Sequence, residues 1–401
     1  MIKGSWGPLP HAVQIVSGNL PGLGLEFLWV ENVSYNFIQG GYTGPNSDNR
    51  GGPDVVGALK VWDSAGIVLT FKIPADQAPA PPTPTESATI TGATINGAVH
   101  APAPLPNLVT ATHAGGALAL PPGTWSGSSA VSTARKITGA GMGKTILDAT
   151  GIEIARGKAV FVPRVAGVTI SDMTIRGAAG SDENGAAVRD EGEGIGFTLR
   201  NVEVTDCQDG ILTFASDITL GTCNFHDNGA KNGLSHEIYC NGSPTTTVSV
   251  SNVTSKCGTK STHALKSRAG RTVISGGVFS GNPDASDNSM GGSVLDFPDG
   301  GEVTIDGATV VVTASGPGTN ILAIGYGMES AKNATRGTTL ALSNFHLSDK
   351  SGTGAKLECG KAIPNAGLTI GANCTYDGPK PPQLQGWGSV RGSFAASGVH
   401  R

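Results

Sequence analysis

One short pattern of apolar alternation recurs along most of this chain, and it restricts the possible folds more than any other feature. It reads Val168-Thr-Ile170-Ser-Asp172-Met173-Thr-Ile175, then Phe197-Thr-Leu199-Arg-Asn-Val202-Glu-Val204, then Ile218-Thr-Leu220-Gly-Thr-Cys223-Asn-Phe225. It returns at Val248–Val253, Val303–Val310 and Leu340–Leu347, with weaker copies at Ile274–Phe279 and Leu368–Tyr376. Apolar residues on every second position belong to a strand that buries one face. The small or turn-forming residues at each midpoint break the copy into two short strands joined by a bend. The copies recur about every 20–37 residues, the interval expected of a solenoid. A single two-strand unit cannot bury its own apolar face, whereas a stack of them can.

Composition agrees with an all-β chain. Among 401 residues there are 60 Gly and 24 Pro and only 14% charged residues, which favours many turns and short strands. Helix-period apolar runs of useful length are absent. A net charge of −4 gives no bias toward polyanions, so nucleic acid is not an expected partner. No run of about 18 apolar residues is present, so no membrane insertion is expected. The start, Met1-Ile-Lys-Gly-Ser-Trp6-Gly-Pro, lacks the apolar core of a Sec leader, which implies synthesis in a cytoplasm and exit by another route such as lysis. The six cysteines (207, 223, 240, 257, 359, 374) form no Cys-x-x-Cys pair and are expected as buried free thiols. No metal or cofactor is expected.

The chain divides by composition. Residues 1–74 lack the repeat and read as a small β domain, with strands around Leu25–Val30, Ala58–Trp62 and Gly66–Ile73, a Gly-rich loop at Gly40–Pro53, and three of the five Trp (Trp6, Trp29, Trp62). Residues 75–104 read as a Pro-rich semi-rigid linker. The solenoid spans 105–377. A Gly/Pro-rich tail, 378–401, is expected to cap the end of the solenoid or an interface, because an open end exposes unpaired strand groups. Gly139–Thr145 has the look of a phosphate loop without its spacing or a following helix, and is expected to be a turn.

The opening of the solenoid, Ala117-Leu-Ala-Leu120-Pro-Pro-Gly123-Thr-Trp125 followed by Lys136-Ile-Thr-Gly-Ala-Gly-Met-Gly-Lys-Thr145-Ile-Leu147, resembles the first rungs of the pectate-lyase-like superfamily. That resemblance implies a right-handed parallel β-helix. It specifies a fold and leaves the activity open.

A further strand precedes each repeat: Gly210–Phe214, Glu237–Asn241, Ala264–Arg268 and Val294–Phe297. With Ile211, Ile238, Leu265 and Leu295 facing inward, alternation turns Leu212, Tyr239, Lys266 and Asp296 outward, with Gly210, Glu237, Ala264 and Val294 on a second outward ladder. Asn241 and Arg268 fall on a third. Glu237, Tyr239, Asn241, Lys266, Arg268 and Asp296 are therefore expected to share one outer face suited to a glycan, with Tyr239, Asn241 and Arg271 as binding residues. His236 and His263 occupy equivalent places and are expected to stack at a corner, with a catalytic base as the sharper alternative. Asp182, Glu183, Asp190, Glu191 and Glu193 crowd one loop, as a solvated acidic loop or as a source of carboxylates over the groove.

His263-Ala-Leu-Lys266-Ser-Arg268, followed by Arg271, is similar to the Lys-Ser strand of the alginate lyase and chondroitinase B family. The resemblance implies Lys266 as the base beside a uronate carboxylate, with Arg268 or Arg271 neutralising it. Where that family places Arg-His-Gly on the next rung, this chain has Ser293-Val-Leu-Asp-Phe. A hydrolase would instead use Glu237 with Asp296, about 10 Å apart on the ladder, at the limit of what inversion allows.

A small amino-terminal domain, a Pro-rich spacer and a β-helix body together resemble phage tailspikes and head or tail fibre proteins. That resemblance implies a homotrimeric virion protein that docks to the particle through residues 1–74 and presents its helix to a host surface glycan. Outward apolar residues such as Leu212 and Val294 would be hidden between solenoids. The alternative is a polysaccharide lyase or glycoside hydrolase centred on Lys266, Arg268, Glu237 and Asp296.

Overall fold

The computed structural model describes residues 89–397 apart from 134, 193, 231–233, 284–292, 314–321 and 352–353; of the first 88 residues it describes four strands. The chain separates into two compact units, Met1–Pro84 and Thr85–Arg401. In the first, Ile15–Leu20 pairs antiparallel with Leu25–Val30, and Ala58–Trp62 with Val68–Lys72. Trp6, the Gly40–Pro53 loop and the Pro-rich stretch up to residue 88 lie outside the described residues.

The second unit is a parallel β-helix. Its strands form a 22-stranded sheet, bent lengthwise, and a separate 10-stranded sheet. Each repeat read from the sequence supplies both halves of the bent sheet, as in Ile218–Gly221 and Asn224–His226 or Thr247–Ser251 and Thr254–Lys256. The bend is a column of left-handed residues: Asp172 (φ 58°), Asn201 (53°), Thr222 (53°), Asn252 (50°), Asn344 (47°) and Asn373 (55°), with Gly276 and Gly307 at the same place. Asn and Asp tolerate this region because their short side chains bond locally. Here they bond along the column: Asn201 Nδ2 donates to Asp172 Oδ1 at 2.7 Å, Asn344 Nδ2 to Asp306 Oδ1 at 2.7 Å, and Asn373 Nδ2 to Asn344 Oδ1 at 2.8 Å.

Parallel pairing in register stacks like on like. Ile137, Ile170, Leu199, Leu220, Val250, Ile274, Ile305 and Leu342 form one buried column. On the ten-stranded sheet Ile211, Ile238, Leu265 and Leu295 are all fully buried, as alternation requires. All six cysteines are buried and free, filling the interior. Gly139–Thr145 is a turn: the Thr145 hydroxyl accepts from the Ala140 amide at 2.8 Å and donates to the Pro121 carbonyl at 2.9 Å.

Two boundaries differ from the sequence reading. Residues 89–104 are folded: Thr94–Ile95 pairs with Ala117–Ala119, Thr89–Ile90 pairs with Ala103–Pro104, and Ile90 is fully buried. A seven-residue helix, Leu105–Ala111, follows and sinks Leu105, Leu108 and Val109 into the core of the first rungs. It is too short for its period to register against the alternating pattern. At the other end the tail is one more rung: Gln383–Gln385, Ser389–Arg391 and Ala395–Ala396 each extend a ladder in parallel. Trp387 donates its indole N–H to the Leu357 carbonyl at 3.0 Å and lies against Tyr326. The Gly and Pro content of the tail masked a rung whose strands are only two or three residues long. No described helix is long and apolar enough to cross a membrane.

Candidate functional site

The outer face of the ten-stranded sheet gathers the polar residues. Register places Leu212 beside Tyr239, Tyr239 beside Lys266, Lys266 beside Asp296, and Asp296 beside Gly325. Lys266 Nζ lies 3.2 Å from Asp296 Oδ2 and 2.9 Å from Glu329 Oε1. Arg268 NH1 lies 2.8 Å from Asp299 Oδ1, a second amino group contacts Glu329 Oε2, and its Nε donates to the Tyr239 hydroxyl at 3.1 Å. Burial opposes the charge on Lys266, but Asp296 and Glu329 outweigh it and hold the amine above its usual pKa. Burial likewise opposes the Arg268 charge, and Glu329, Tyr239 and Asp299 more than offset it.

Beside this network lie the two histidines. His236 and His263 are bridge partners, their ring centroids 5.0 Å apart, and His236 meets the Tyr239 ring edge-on at 5.1 Å. His236 Nδ1 is 2.7 Å from the Thr262 hydroxyl, and His263 Nδ1 is 2.6 Å from the Ser293 carbonyl, which makes that nitrogen a donor. Burial and each other's proximity push His236 well below the usual imidazole range, and burial lowers His263 despite Asp296 at 3.7 Å from its Nε2. Both rings are neutral at pH 7. They form the corner stack expected of their spacing, set into the wall of the site.

The structure departs from the sequence reading at several of these residues. Glu237 is on the inside, with no exposed surface, as are Ala264 and Val294 of the same ladder. The strand turns a corner here, so two successive positions point inward and strict alternation fails. Inside, Glu237 accepts from Asn228 Nδ2 at 2.5 Å and from the Ser261 hydroxyl at 2.9 Å, and burial pushes its carboxyl up to about 7 against those bonds. Glu237 and Asp296 therefore face opposite sides of the sheet and cannot act as a hydrolytic pair. Two carboxylates hold the Lys266 ammonium in its charged form, which opposes the role of base that the lyase resemblance implies. Arg271 begins a strand of the other sheet, pairs loosely with Glu302 at 3.8 Å, and does not join Lys266 and Arg268. Val294, fully buried, has no surface to hide in a trimer. Leu212 does face outward, but Ala159, Val162 and Ala186 already cover it.

Tyr239, Asn241, Lys266, Arg268 and Asp296 remain on the outer side, Asn241 in register beside Phe214. Asp299 and Glu329 are participants that local pattern did not reveal. Glu329 comes from a turn 61 residues beyond Arg268, and only the stacking of rungs brings the two together. The acidic loop is mostly paired: Lys158 meets Asp182 at 2.5 Å, and Arg156 and Arg164 meet Glu191 at 2.5 and 3.0 Å. Asp190 is buried and accepts from the Phe214 amide at 2.5 Å. Among the described residues no group of three or more His, Cys, Asp or Glu could hold a metal ion.

Fold and face together define a parallel β-helix with an ionic and aromatic outer patch spanning four rungs. No protein-family model and no curated protein sequence matches the chain. Among solved structures it is similar to the A-module of the mannuronan C-5 epimerase AlgE6 of Azotobacter vinelandii, at 14% identity and a TM-score of 0.40, over 71% of this chain and 91% of that module. Likeness at that level carries no argument about activity.

Proposed function

We propose that the chain is a spike or fibre protein of a bacteriophage particle that docks through its amino-terminal unit and binds host surface polysaccharide on the outer face of the ten-stranded sheet. The carrying observation is the character of that face. Tyr239 offers an aromatic platform, Asn241 and Arg268 offer donors, and the cations are held by partners instead of being poised for proton transfer. Such a surface recognises sugar rings and hydroxyls without needing to break a bond. The separate amino-terminal unit and the Pro-rich segment supply the particle-docking half of the reading, with trimeric assembly as the usual form of such spikes. The test is to mix the protein with purified bacterial capsules and lipopolysaccharides and follow co-elution and glycan chain length together. Binding with unchanged chain length supports the reading; absence of binding to every envelope glycan rejects it.

One observation favours a second reading, a polysaccharide lyase. The Tyr239 hydroxyl accepts from Arg268 Nε at 3.1 Å, so a phenol whose oxygen sits against a cation stands on the outer wall in the place a lyase needs an acid or base. Accumulation of unsaturated product absorbing in the ultraviolet would establish it.

A further inference from the structure

Three carboxylates hold Lys266 and Arg268, and they are not alike. The Asp296 and Asp299 side chains keep only 7% and 3% of their surface and sit on or just after the strand Leu295–Phe297. The Glu329 side chain keeps 48%, although both cations it bridges are nearly covered, at 12% and 18%. The backbone that carries Glu329 is fixed. The Glu329 and Ser330 amides donate to the Pro298 carbonyl at 2.9 and 3.1 Å, and Asn333 Nδ2 donates to the Arg268 carbonyl at 2.9 Å. With the backbone held, Glu329 can leave the two cations only by rotation about its own side-chain torsions. Two aspartates thus orient the cations from within, and one exposed glutamate closes the outward side.

From this geometry we infer that Lys266 and Arg268 form a binding site for the carboxylate of an acidic sugar, and that Glu329 occupies that site in the free protein as an internal stand-in. The Glu329 carboxylate takes one contact from the ammonium and one from the guanidinium, the same two contacts a uronate carboxylate would take. The charge balance supports exchange. With Glu329 in place, two cations face three carboxylates; with Glu329 swung out, an incoming carboxylate restores the same count. Tyr239, whose hydroxyl meets Arg268 Nε, lies beside the site as a surface for the sugar ring. The cost of displacing Glu329 makes the resting site weak, and its apparent affinity scales with the fraction of molecules in which Glu329 has left. This inference rests on the glycan-binding reading of the same face and names the class of sugar it takes.

The experiment titrates the full chain and its Glu329→Gln variant with sodium D-glucuronate, using methyl glucoside as the neutral control, and follows the Arg268 Nε–H signal by NMR. Matched thermal melts establish that the variant is folded. The expected result is saturation by glucuronate at a concentration about tenfold lower in the variant, the gain expected if the open fraction rises from about a tenth to nearly one, with no response to methyl glucoside. Equal midpoints in the two proteins, or no saturation in the variant, would overturn the inference. The two claims can fail separately. A variant that saturates while neither protein binds any envelope polysaccharide upholds the carboxylate site and rejects the spike. A wild-type chain that binds a polysaccharide, with a variant indifferent to glucuronate, does the reverse.

Discussion

Asp296 stands one rung from Lys266 in the same register and holds its ammonium at 3.2 Å, in a pair that solvent barely reaches. The chain brings the pair together by stacking residues 30 positions apart, so neither residue has its partner in local sequence.

Because the pair is nearly buried, removing Asp296 leaves the Lys266 ammonium with Glu329 as its one carboxylate partner. Asp296→Ala should lower unfolding free energy by at most about 3 kcal/mol, the lower end of the loss when a buried ion loses its partner altogether. Lys266→Met with Asp296→Leu should recover most of that loss. Urea denaturation of Asp296→Ala and of the double variant checks both values. A double variant no better than Asp296→Ala would mean that Glu329 and His263 carry the cost instead.

Glu237 gives the protein a pH dependence on the acid side of neutrality. Its folded pKa, about 7, lies above the ordinary 4.5 because of burial. The unfolded chain therefore releases this proton first. The stability it contributes is complete below about 4.5 and is lost as pH rises through about 7. Asp209, pushed to about 8 by burial, acts in the same direction. Glu237→Gln should flatten the decline between pH 5 and pH 7 when thermal melts are compared across that range.

His236 and His263 act in the opposite sense. Their folded pKa values lie below the ordinary imidazole value, chiefly through burial, so the stability they contribute is present above about pH 6.5 and falls away as the solution becomes more acidic. Carbon-13 shifts of the two rings should report mostly neutral imidazoles at pH 6.5, the midpoint of an ordinary imidazole, because both lie below it.

The bend column depends on residues that tolerate a left-handed backbone. Asn201, at φ 53° and bonded to Asp172, should lose about 1–2 kcal/mol when replaced by Val, through strain and the lost bond. Asn201→Gly, which removes the bond without the strain, should cost less. Chemical denaturation ranks the two.

The apolar alternation from Val168 to Ile175 predicted the stacked core well, because burial of one strand face leaves a period that survives any substitution of one aliphatic residue for another. The Ser-Asp, Arg-Asn and Ser-Asn midpoints likewise marked the bend. The site was legible only in part. Tyr239, Asn241, Lys266, Arg268 and Asp296 follow from alternation along regular strand, and they came out on the outer side. Glu237 did not, because the strand turns a corner there and one extra residue points inward, a local change that periodicity cannot register. Glu329 was invisible for a different reason: it acts from a turn two rungs away, and turns carry no register.

The central claim is that the outer face around Tyr239 binds a bacterial surface polysaccharide without cleaving it. The most direct measurement compares the wild-type chain with Tyr239→Ala on immobilised capsular polysaccharide or lipopolysaccharide, with melts to confirm the fold and end-group analysis of the glycan afterwards. The account predicts that the wild-type chain binds, that Tyr239→Ala binds at least about tenfold more weakly, as loss of an aromatic platform implies, and that no new chain ends appear. Equal binding by the two proteins, or a glycan shortened by the wild-type chain alone, would contradict it.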